Sequence, residues 1–415
     1  MHIIHFSDVH IGVENYSKPD SQTGLSTRLI DFLNTFDEVV EYSINNDVDL
    51  VVFSGDAYKS RDPNQTHQRE FAKRIMRLSL ANIPVFLLTG NHDVPHVSER
   101  ATSLQIFRTL EIQNVVYADS LKIHKIDTKS GDPIQILALP WIRKSHLIAQ
   151  GKNLDGKPPD EINRMIQERI SNAVKEMARE LDPKIPAICS AHITIKESVT
   201  SSEVSMMLGD DHGLFTNQLA LPNFDYIALG HIHKHQILSK KPLMVYSGSL
   251  QRVDFGEEKD TKGFCSIILD PKANVGERIK EFNFIEVDAR KFKTISISLP
   301  KEESNPTEKI VETINSESIA DTILKLVIDI PAELNALIDD SIIRNALNSA
   351  HYIASITKNI SEQNRSRIGE IDQKSLSPIE ALELYFKSRD LSEEKTEVLL
   401  QHAIEIINQH SDKTN

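Results

Sequence analysis

Four apolar runs, at residues 3–6, 50–53, 85–88 and 226–229, each lead directly into a short motif built from metal-ligand residue types. The motifs are Asp8 with His10, Gly55-Asp56, Gly90-Asn91-His92-Asp93, and Gly230-His231 with His233; a fifth run, 185–191, leads into His192. Strands buried on both faces read as unbroken apolar runs, and the ends of such strands in an open α/β sheet converge on one crevice. Segments far apart in the chain thereby become neighbours in space. This pattern predicts an α/β fold whose chemistry sits where the five strand ends meet.

A chain of 415 residues is long for one small domain, so two folded domains and a tail are expected. The two cysteines, Cys189 and Cys265, sit in apolar contexts and allow no disulfide framework, which suits a reducing cytoplasm. The first strand begins at Met1, leaving no room for a signal peptide, and no apolar stretch reaches the roughly 20 residues that span a bilayer. A soluble, cytoplasmic protein without membrane contact is expected. The formal charge of −13 argues against holding nucleic acid by net charge. A local phosphate site is still allowed, since two divalent ions contribute about +4 at one point.

Residues 1–287 alternate apolar runs with helical patterns, as a layered α/β domain does. Helices are predicted at 63–80, 98–110 and 160–181, with a loop at 151–156 and an aperiodic polar segment at 198–213 that borders the expected crevice. From 288 to 360 the pattern changes to strand 294–299, helix 306–314, strand 323–330, helix 333–350 and strand 352–357, a small βαβαβ unit. A polar linker at 361–375 precedes two helices within 376–415, opened by Ser377-Pro378 and by Ser392-Glu393-Glu394. Ile379, Leu382, Tyr385 and Phe386 on the first, and Val398, Leu399, Ile404 and Ile407 on the second, form apolar faces too small for a core of their own. Such a hairpin docks either on its own body or on a partner.

Taken singly, three of the five motifs are weak, and Gly90-Asn91-His92-Asp93 is as readily a polar turn as a site. An Asp and a His two apart, or Gly-Asp at a strand end, is often a turn, and a lone His192 is more often a core histidine. Gly230-His231 with His233 projects two imidazoles to one side of an extended segment, a good chelate. All five in this order point to two adjacent divalent ions, with Asp56 best placed to bridge them. Mixed His, Asp and Asn ligation suits manganese first, then iron or zinc, over magnesium.

In this order the segments resemble the calcineurin-like metallophosphoesterase superfamily. Residues 224–233, together with Tyr246-Ser247-Gly248-Ser249-Leu250, Arg252, Phe255, Glu257 and Lys262-Gly263-Phe264, further resemble SbcD-type DNA repair nucleases, bacterial relatives of the meiotic recombination eleven nuclease. The resemblance implies a sandwich of mixed sheets flanked by helices (1–287), a capping domain over the DNA cleft (288–360), a linker (361–375) and a helical hairpin binding an SbcC-type ATPase (376–415). It implies one metal on Asp8, His10, Asp56 and His233, and another on Asp56, Asn91, His192 and His231. His92 would act beside the scissile phosphate, with Asp93 either orienting its imidazole or serving as a turn residue.

Where many family members carry a histidine or an acidic residue three positions after the bridging aspartate, this chain has Lys59. Lys59, Arg61 and Arg252 are candidate DNA contacts, with a solvated loop as the other reading for the first two. The family's homodimer helices correspond to 63–80 and 98–110, where Phe71, Ile75, Leu78, Leu104, Ile106 and Phe107 form either that contact or internal core. The chain has no Gly-x-x-x-x-Gly-Lys-Ser/Thr loop, so any ATP dependence must come from a partner. The expected activity is metal-dependent hydrolysis of DNA, as an exonuclease on duplex ends and an endonuclease on single strands or hairpins. A small-molecule or nucleotide phosphodiesterase or phosphatase, and a DNA-end scaffold with a vestigial site, are the alternatives.

Overall fold

The computed structural model describes residues 1–95, 100–143, 157–201, 213–361, and 379, 382, 385, 386, 395 and 397–404. The predicted loop at 151–156, most of the polar segment at 198–213, the linker after 361 and most of the terminal hairpin lie outside the described residues.

The apolar runs of the sequence are strands. In one six-stranded sheet β1 (His2–Phe6), β2 (Leu50–Phe53), β3 (Val85–Leu88) and β4 (Val115–Ala118) run parallel, and β11 (Gly263–Leu269) and β12 (Ile279–Glu286) add antiparallel at the β1 edge. The second sheet has the order β5-β6-β7-β8-β10-β9, formed by Lys122–Asp127, Pro133–Leu139, Ala187–His192, Tyr226–Gly230, Leu243–Tyr246 and Gln236–Lys240. Its central strands β6, β7, β8 and β10 are parallel.

Successive side chains of a strand face opposite ways, so each run feeds two cores. Ile3, Val52, Phe86 and Leu88 face Ile136, Ile188, Ala228 and Val245 in the core between the sheets. The alternate residues Ile4, Phe6, Val51, Phe53, Val85 and Leu87 pack on α1 (Thr27–Asn45) and α2 (Gln65–Leu80) through Leu33, Phe36, Val40, Phe71, Ile75 and Leu78. On the far side Cys189, Ala191, Ile227 and Leu229 pack on Ile166, Ile170 and Val174 of the helix Pro159–Arg179. The result is a helix–sheet–sheet–helix sandwich, each buried side chain contributing about 1.5–3 kcal/mol.

Polar pairs stitch the two sheets: His5 Nδ1 to Tyr226 Oη at 2.9 Å, Ser7 Oγ to Ser247 Oγ at 2.8 Å and Ser54 Oγ to Ser190 Oγ at 3.0 Å. These seams bring the C-terminal ends of β1, β2, β3, β7 and β8 face to face.

Some elements differ from expectation. The helix α1 is an addition, begun where Ser26 Oγ accepts the Leu29 N–H. Asn64 caps α2 through the His67 N–H, so it opens after Pro63. Of the segment expected as a helix at 98–110, the described residues are helical only over Gln105–Thr109 (α3), preceded by a turn at Ser103 and Leu104. The helix expected at 333–350 divides into a 3-10 turn, Ala332–Leu337, and a short helix, Asp340–Ala346. The remaining strands β13 (Phe292–Ser298), β14 (Ile323–Pro331) and β15 (Tyr352–Ser361) form a three-stranded sheet in that order, with the helix Pro306–Ser316 in the first crossover.

By proximity the chain divides into two compact units, Met1–Ile295 with Ile314–Leu326 and Arg344–Ile356, and Ser296–Thr313 with Val327–Ile343 and Thr357–Asn415. Among the described residues no helix is long and apolar enough to cross a membrane.

Candidate metal centre

Three strand ends, those of β1, β2 and β8, deliver their motifs through sharp backbone turns, while His192 closes β7 itself. Asp8, His10, Asp56 and His231 all have positive φ, at 53°, 47°, 61° and 99°. Such conformations cost a non-glycine residue of order 1–3 kcal/mol each and persist only where the surroundings hold them. The loops after β1 and β2 hold each other, with the Asp8 N–H donating to the Gly55 carbonyl and the His10 N–H to the Asp56 carbonyl. Three glycines let the loops close. A Cβ on Gly55 would stand 2.4 Å from His192 Nδ1, on Gly90 2.1 Å from Asp56 Oδ1, and on Gly230 2.2 Å from the Ser54 carbonyl oxygen. No side chain fits there.

Two clusters of ligand atoms result, Asp8 with His10 and His233, and Asp56 with His192 and His231; within each, the atoms lie within 4.8 Å of one another. All six residues are buried. Asp56 stands between the clusters, its Oδ2 lying 3.6 Å from His10 Nε2 and 3.4 Å from His192 Nε2. Asn91 joins the second cluster, with Oδ1 2.9 Å from His192 Nε2 and 3.0 Å from His231 Nδ1. In the first, His10 Nε2 lies 2.9 Å from His233 Nε2.

The other nitrogens of these rings are fixed from behind. His192 Nδ1 donates to the Ser54 carbonyl at 2.7 Å, and His233 Nδ1 donates to Glu257 Oε1 at 2.7 Å. In each neutral ring Nε2 therefore presents a lone pair to its cluster, the tautomer a metal needs. Glu257 is itself held by Lys262 Nζ at 2.7 Å, and both side chains are fully buried.

Lone pairs pointed at one another are repulsive, so the donor set calls for positive charge at its centre. The electrostatics agree. Burial opposes protonation of His192, yet the attraction of Asp56 and Asp8 pulls it up to about 9, so that a proton on its Nε2 answers the same demand for positive charge that a cation would meet. Burial would raise the Asp56 carboxyl, but His192, His92 and His10 together hold it well below the usual carboxylate range. Burial raises Asp8 and drives His10 well below the ordinary imidazole value. Carboxylates, imidazole nitrogens and one amide oxygen around two points fit a pair of divalent cations, which would take the place of the His192 proton.

His92 lies at the rim, its ring 5.0 Å from that of His10 and edge-on to it. Its N–H donates to Asp56 Oδ1 at 2.8 Å and its Nδ1 to the Lys59 carbonyl at 2.9 Å. Of the two readings of Asp93, orienting residue or turn residue, the first is not what is seen, since the His92 ring is held by the Lys59 backbone. Asp93 instead accepts from the N–H groups of Gly90, Asp56 and Ala57 at 2.9, 2.9 and 3.0 Å, tying two motif loops together. Burial, then Asp56, pushes its carboxyl up to about 7.

The expected contacts around the centre divide. Lys59 is half-buried, and burial lowers its ammonium pKa. Arg61 Nε donates to the Asn91 carbonyl at 3.3 Å, placing it at the second cluster. Arg252 is half-buried. Its guanidinium donates to the carbonyls of Ala289, Arg290 and Asp260. Of the expected dimer residues, Phe71, Ile75, Leu78, Leu104 and Phe107 are core, and Ile106 is exposed.

Sequence reasoning missed the Ser54 carbonyl, the role of Glu257 with Lys262, and Trp141, whose ring lies 5.1 Å from that of His231. A backbone acceptor leaves no trace in residue type. The Glu257–Lys262 pair was visible as an opposite-charge pair, but it lies outside the ligand motifs.

A model of the calcineurin-like phosphoesterase family matches residues 1–235. The chain is similar to a DNA double-strand break repair protein Mre11 of Thermoplasma acidophilum, at 26% identity over 77% of this chain and 73% of that protein. It is also similar to an SbcCD nuclease subunit of Escherichia coli K12, at 25% identity over 62% of each chain, less than two thirds of that relative's length. Among solved structures, a dimetal phosphatase from Danio rerio matches 69% of this chain and 98% of its own at 11% identity, with a TM-score of 0.38.

Proposed function

The chain belongs to the calcineurin-like phosphoesterase family, and from that premise we propose that it is a manganese-dependent DNA nuclease. It acts on duplex ends as an exonuclease and on single strands or hairpins as an endonuclease. The observation that carries hydrolysis is the pair of buried clusters with the Asp56 carboxylate between them. The choice of DNA is supported by the names of the relatives, a break repair protein and a nuclease subunit.

In this reading Asp8, His10, Asp56 and His233 hold one ion, and Asp56, Asn91, His192 and His231 the other. Bound there, the ions supply a nucleophile at neutral pH and relief of charge on the phosphoryl oxygens. The chain's own residues do the rest. Ser54 and Glu257 fix two ligand tautomers, and the glycines keep the loops close. His92 has its Nδ1 proton committed to the Lys59 carbonyl, which leaves Nε2 as the atom that exchanges a proton with the leaving 3′ oxygen. Lys59 and Arg61 attract the strand's phosphates.

The terminal helices dock on an SbcC-type ATPase. Support comes from exposed Tyr385, Val398, Leu399 and Ile404, and from the bacterial relative's name as one subunit of a nuclease. A homodimer contact is moved from the core residues to exposed Leu80, Ile106 and Leu110 at the ends of α2 and α3.

The test is cleavage of end-labelled linear duplex by purified protein with manganese. Cleavage is expected, and His92→Ala should lower it about 10²- to 10⁴-fold while metal content stays unchanged. Hydrolysis of a chromogenic diester without cleavage of DNA would make this a small-molecule phosphodiesterase. DNA processing that survives loss of both Asp56 and His92 would make the chain a scaffold.

A further inference from the structure

The candidate ligand rings are not all held in the same way. His192 is fixed from behind by the Ser54 carbonyl and His233 by Glu257, each through Nδ1. His10 has no such hold, since among the described residues its buried Nδ1 has no hydrogen-bond partner. The rings of His92 and His233 flank it at 5.0 and 4.8 Å without bonding that nitrogen. The aim of the His10 imidazole at the first cluster therefore depends on the backbone that carries it. That backbone is strained, with Asp8 and His10 at φ 53° and 47°, and such conformations last only where neighbours hold them.

One side of the loop is held by the loop after β2, whose carbonyls accept the N–H groups of Asp8, His10 and Ile11. Further along, the loop rests on α2. His67 in the first turn of that helix is fixed at its own backbone, where its N–H donates to Asn64 Oδ1 at 2.8 Å. Its buried ring closes on Gly12, which has φ 105°; a Cβ there would stand 2.9 Å from both Cε1 and Nδ1 of His67. His67 Nε2 donates to Glu14 Oε1 at 3.1 Å, and Asn64 Nδ2 lies 3.2 Å from the same nitrogen. A carboxylate beside Nε2 calls for the proton on that nitrogen. One imidazole thus meets the chain two and four residues beyond His10. Val13, between those points, is buried with Phe32 and Val253, and its N–H donates to the His10 carbonyl at 3.2 Å. A shift of residues 12–14 is thereby passed back to His10.

We propose that His67 is a positioning residue for the first metal ion, which aims the His10 imidazole by clamping Gly12 and Glu14. The proposal rests on the two-metal reading of the site and deepens it. Ser54 and Glu257 serve His192 and His233 from behind, whereas His67 serves His10 through the chain. The first turn of α2 then sets the affinity of the cluster of Asp8, His10 and His233, and the cluster of Asp56, His192 and His231 is indifferent to it.

Full-length, metal-free protein is titrated calorimetrically with manganese. Asp8→Ala, which removes a ligand of the first cluster alone, identifies which of the two constants belongs to that cluster. His67→Ala is expected to weaken that constant about tenfold or more and to leave the other unchanged. Glu14→Ala, at an exposed position, should give the same selective weakening to a smaller extent, and Glu14→Gln, which keeps an acceptor, should restore the constant. In the double variant His67→Ala with Glu14→Ala the losses should not add, because both act through one contact. Cleavage by His67→Ala is expected to fall at limiting manganese and to return at excess, whereas cleavage by His92→Ala should stay low at any manganese concentration. A parallel shift of both constants, or a lower melting temperature with neither constant moved, would make His67 a packing residue and overturn the proposal. An unmoved first constant in Glu14→Ala overturns it even where His67→Ala fails to fold. Manganese binding that is unaltered by Asp8→Ala and by Asp56→Ala overturns the two-metal reading itself; the selective shift without any DNA cleavage overturns the nuclease and leaves the clamp standing.

Discussion

Glu257 shows how much of a metal centre lies behind its ligands. Burial would raise its carboxyl, but Lys262 and then His233 hold it well below the usual range, so it stays ionised in a dry interior. An ionised acceptor at 2.7 Å locks His233 with its proton on Nδ1. Glu257→Gln is expected to weaken metal binding at the Asp8, His10 and His233 cluster about 10- to 100-fold and to leave the Asp56, His192 and His231 cluster unmoved. Calorimetric titration with manganese reads this as one shifted constant out of two; a parallel shift of both would contradict it. The same change strands the Lys262 ammonium, so a loss of about 3–5 kcal/mol of stability is expected, recovered in part by adding Lys262→Met. Gly90→Ala is expected to be worse for the site, since its Cβ would meet both Asp56 Oδ1 at 2.1 Å and the Asp56 backbone N at 2.4 Å. Metal content by mass spectrometry of purified protein should fall to near zero. At this scale the sequence was legible in residue types and silent on pairing. His92 and Asp93 are adjacent in the chain, yet the partner of the His92 ring is the Lys59 carbonyl, because a turn carries Asp93 back onto backbone N–H groups.

Among elements, the seam between β1 and β8 sets where the two halves of the site meet. His5 is fully buried there beside Tyr226, and burial, with repulsion from His235, lowers its pKa to about 3. The folded state thus favours neutral His5, whereas an unfolded imidazole takes up a proton below about pH 6.5. Its contribution to stability is complete above that pH and is lost as the pH falls towards 3, at up to about 1.4 kcal/mol per unit. His5→Asn should therefore be less stable than wild type at pH 8, with a deficit that narrows by about 1–3 kcal/mol on going to pH 4.5. Urea unfolding of both proteins at the two pH values checks it; a deficit independent of pH would show that His5 does not titrate on unfolding. The strands themselves were legible because burial on both faces makes their runs continuous. The helix expected at 98–110 was not. Leu104 and Phe107 do face the core at helical spacing, but the chain enters through a turn at Ser103 and Leu104, and the helix Gln105–Thr109 is a single turn and little more.

At the scale of the whole molecule, alternation of apolar runs and helical stripes announced a layered α/β fold, but not that the strands split into two sheets. That split depends on which faces pair, and Ile3 differs from Ile4 in this respect only through its partners. The βαβαβ order after residue 288 was readable for the same reason, and the composition of the C-terminal helices raised the question of a partner. Tyr385, Val398, Leu399 and Ile404 are exposed large apolar or aromatic side chains on helical residues, and such faces on a helix are unfavourable in water unless something covers them. If the cover is an ATPase partner, removing residues 377–415 should leave metal content and unstimulated cleavage within about twofold of the full chain. The acceleration of cleavage by that partner with ATP should vanish, together with co-elution on a sizing column. Lower thermal stability and lower unstimulated cleavage in the shortened chain would instead show that the helices dock on their own body, since only that reading makes the catalytic domain depend on them.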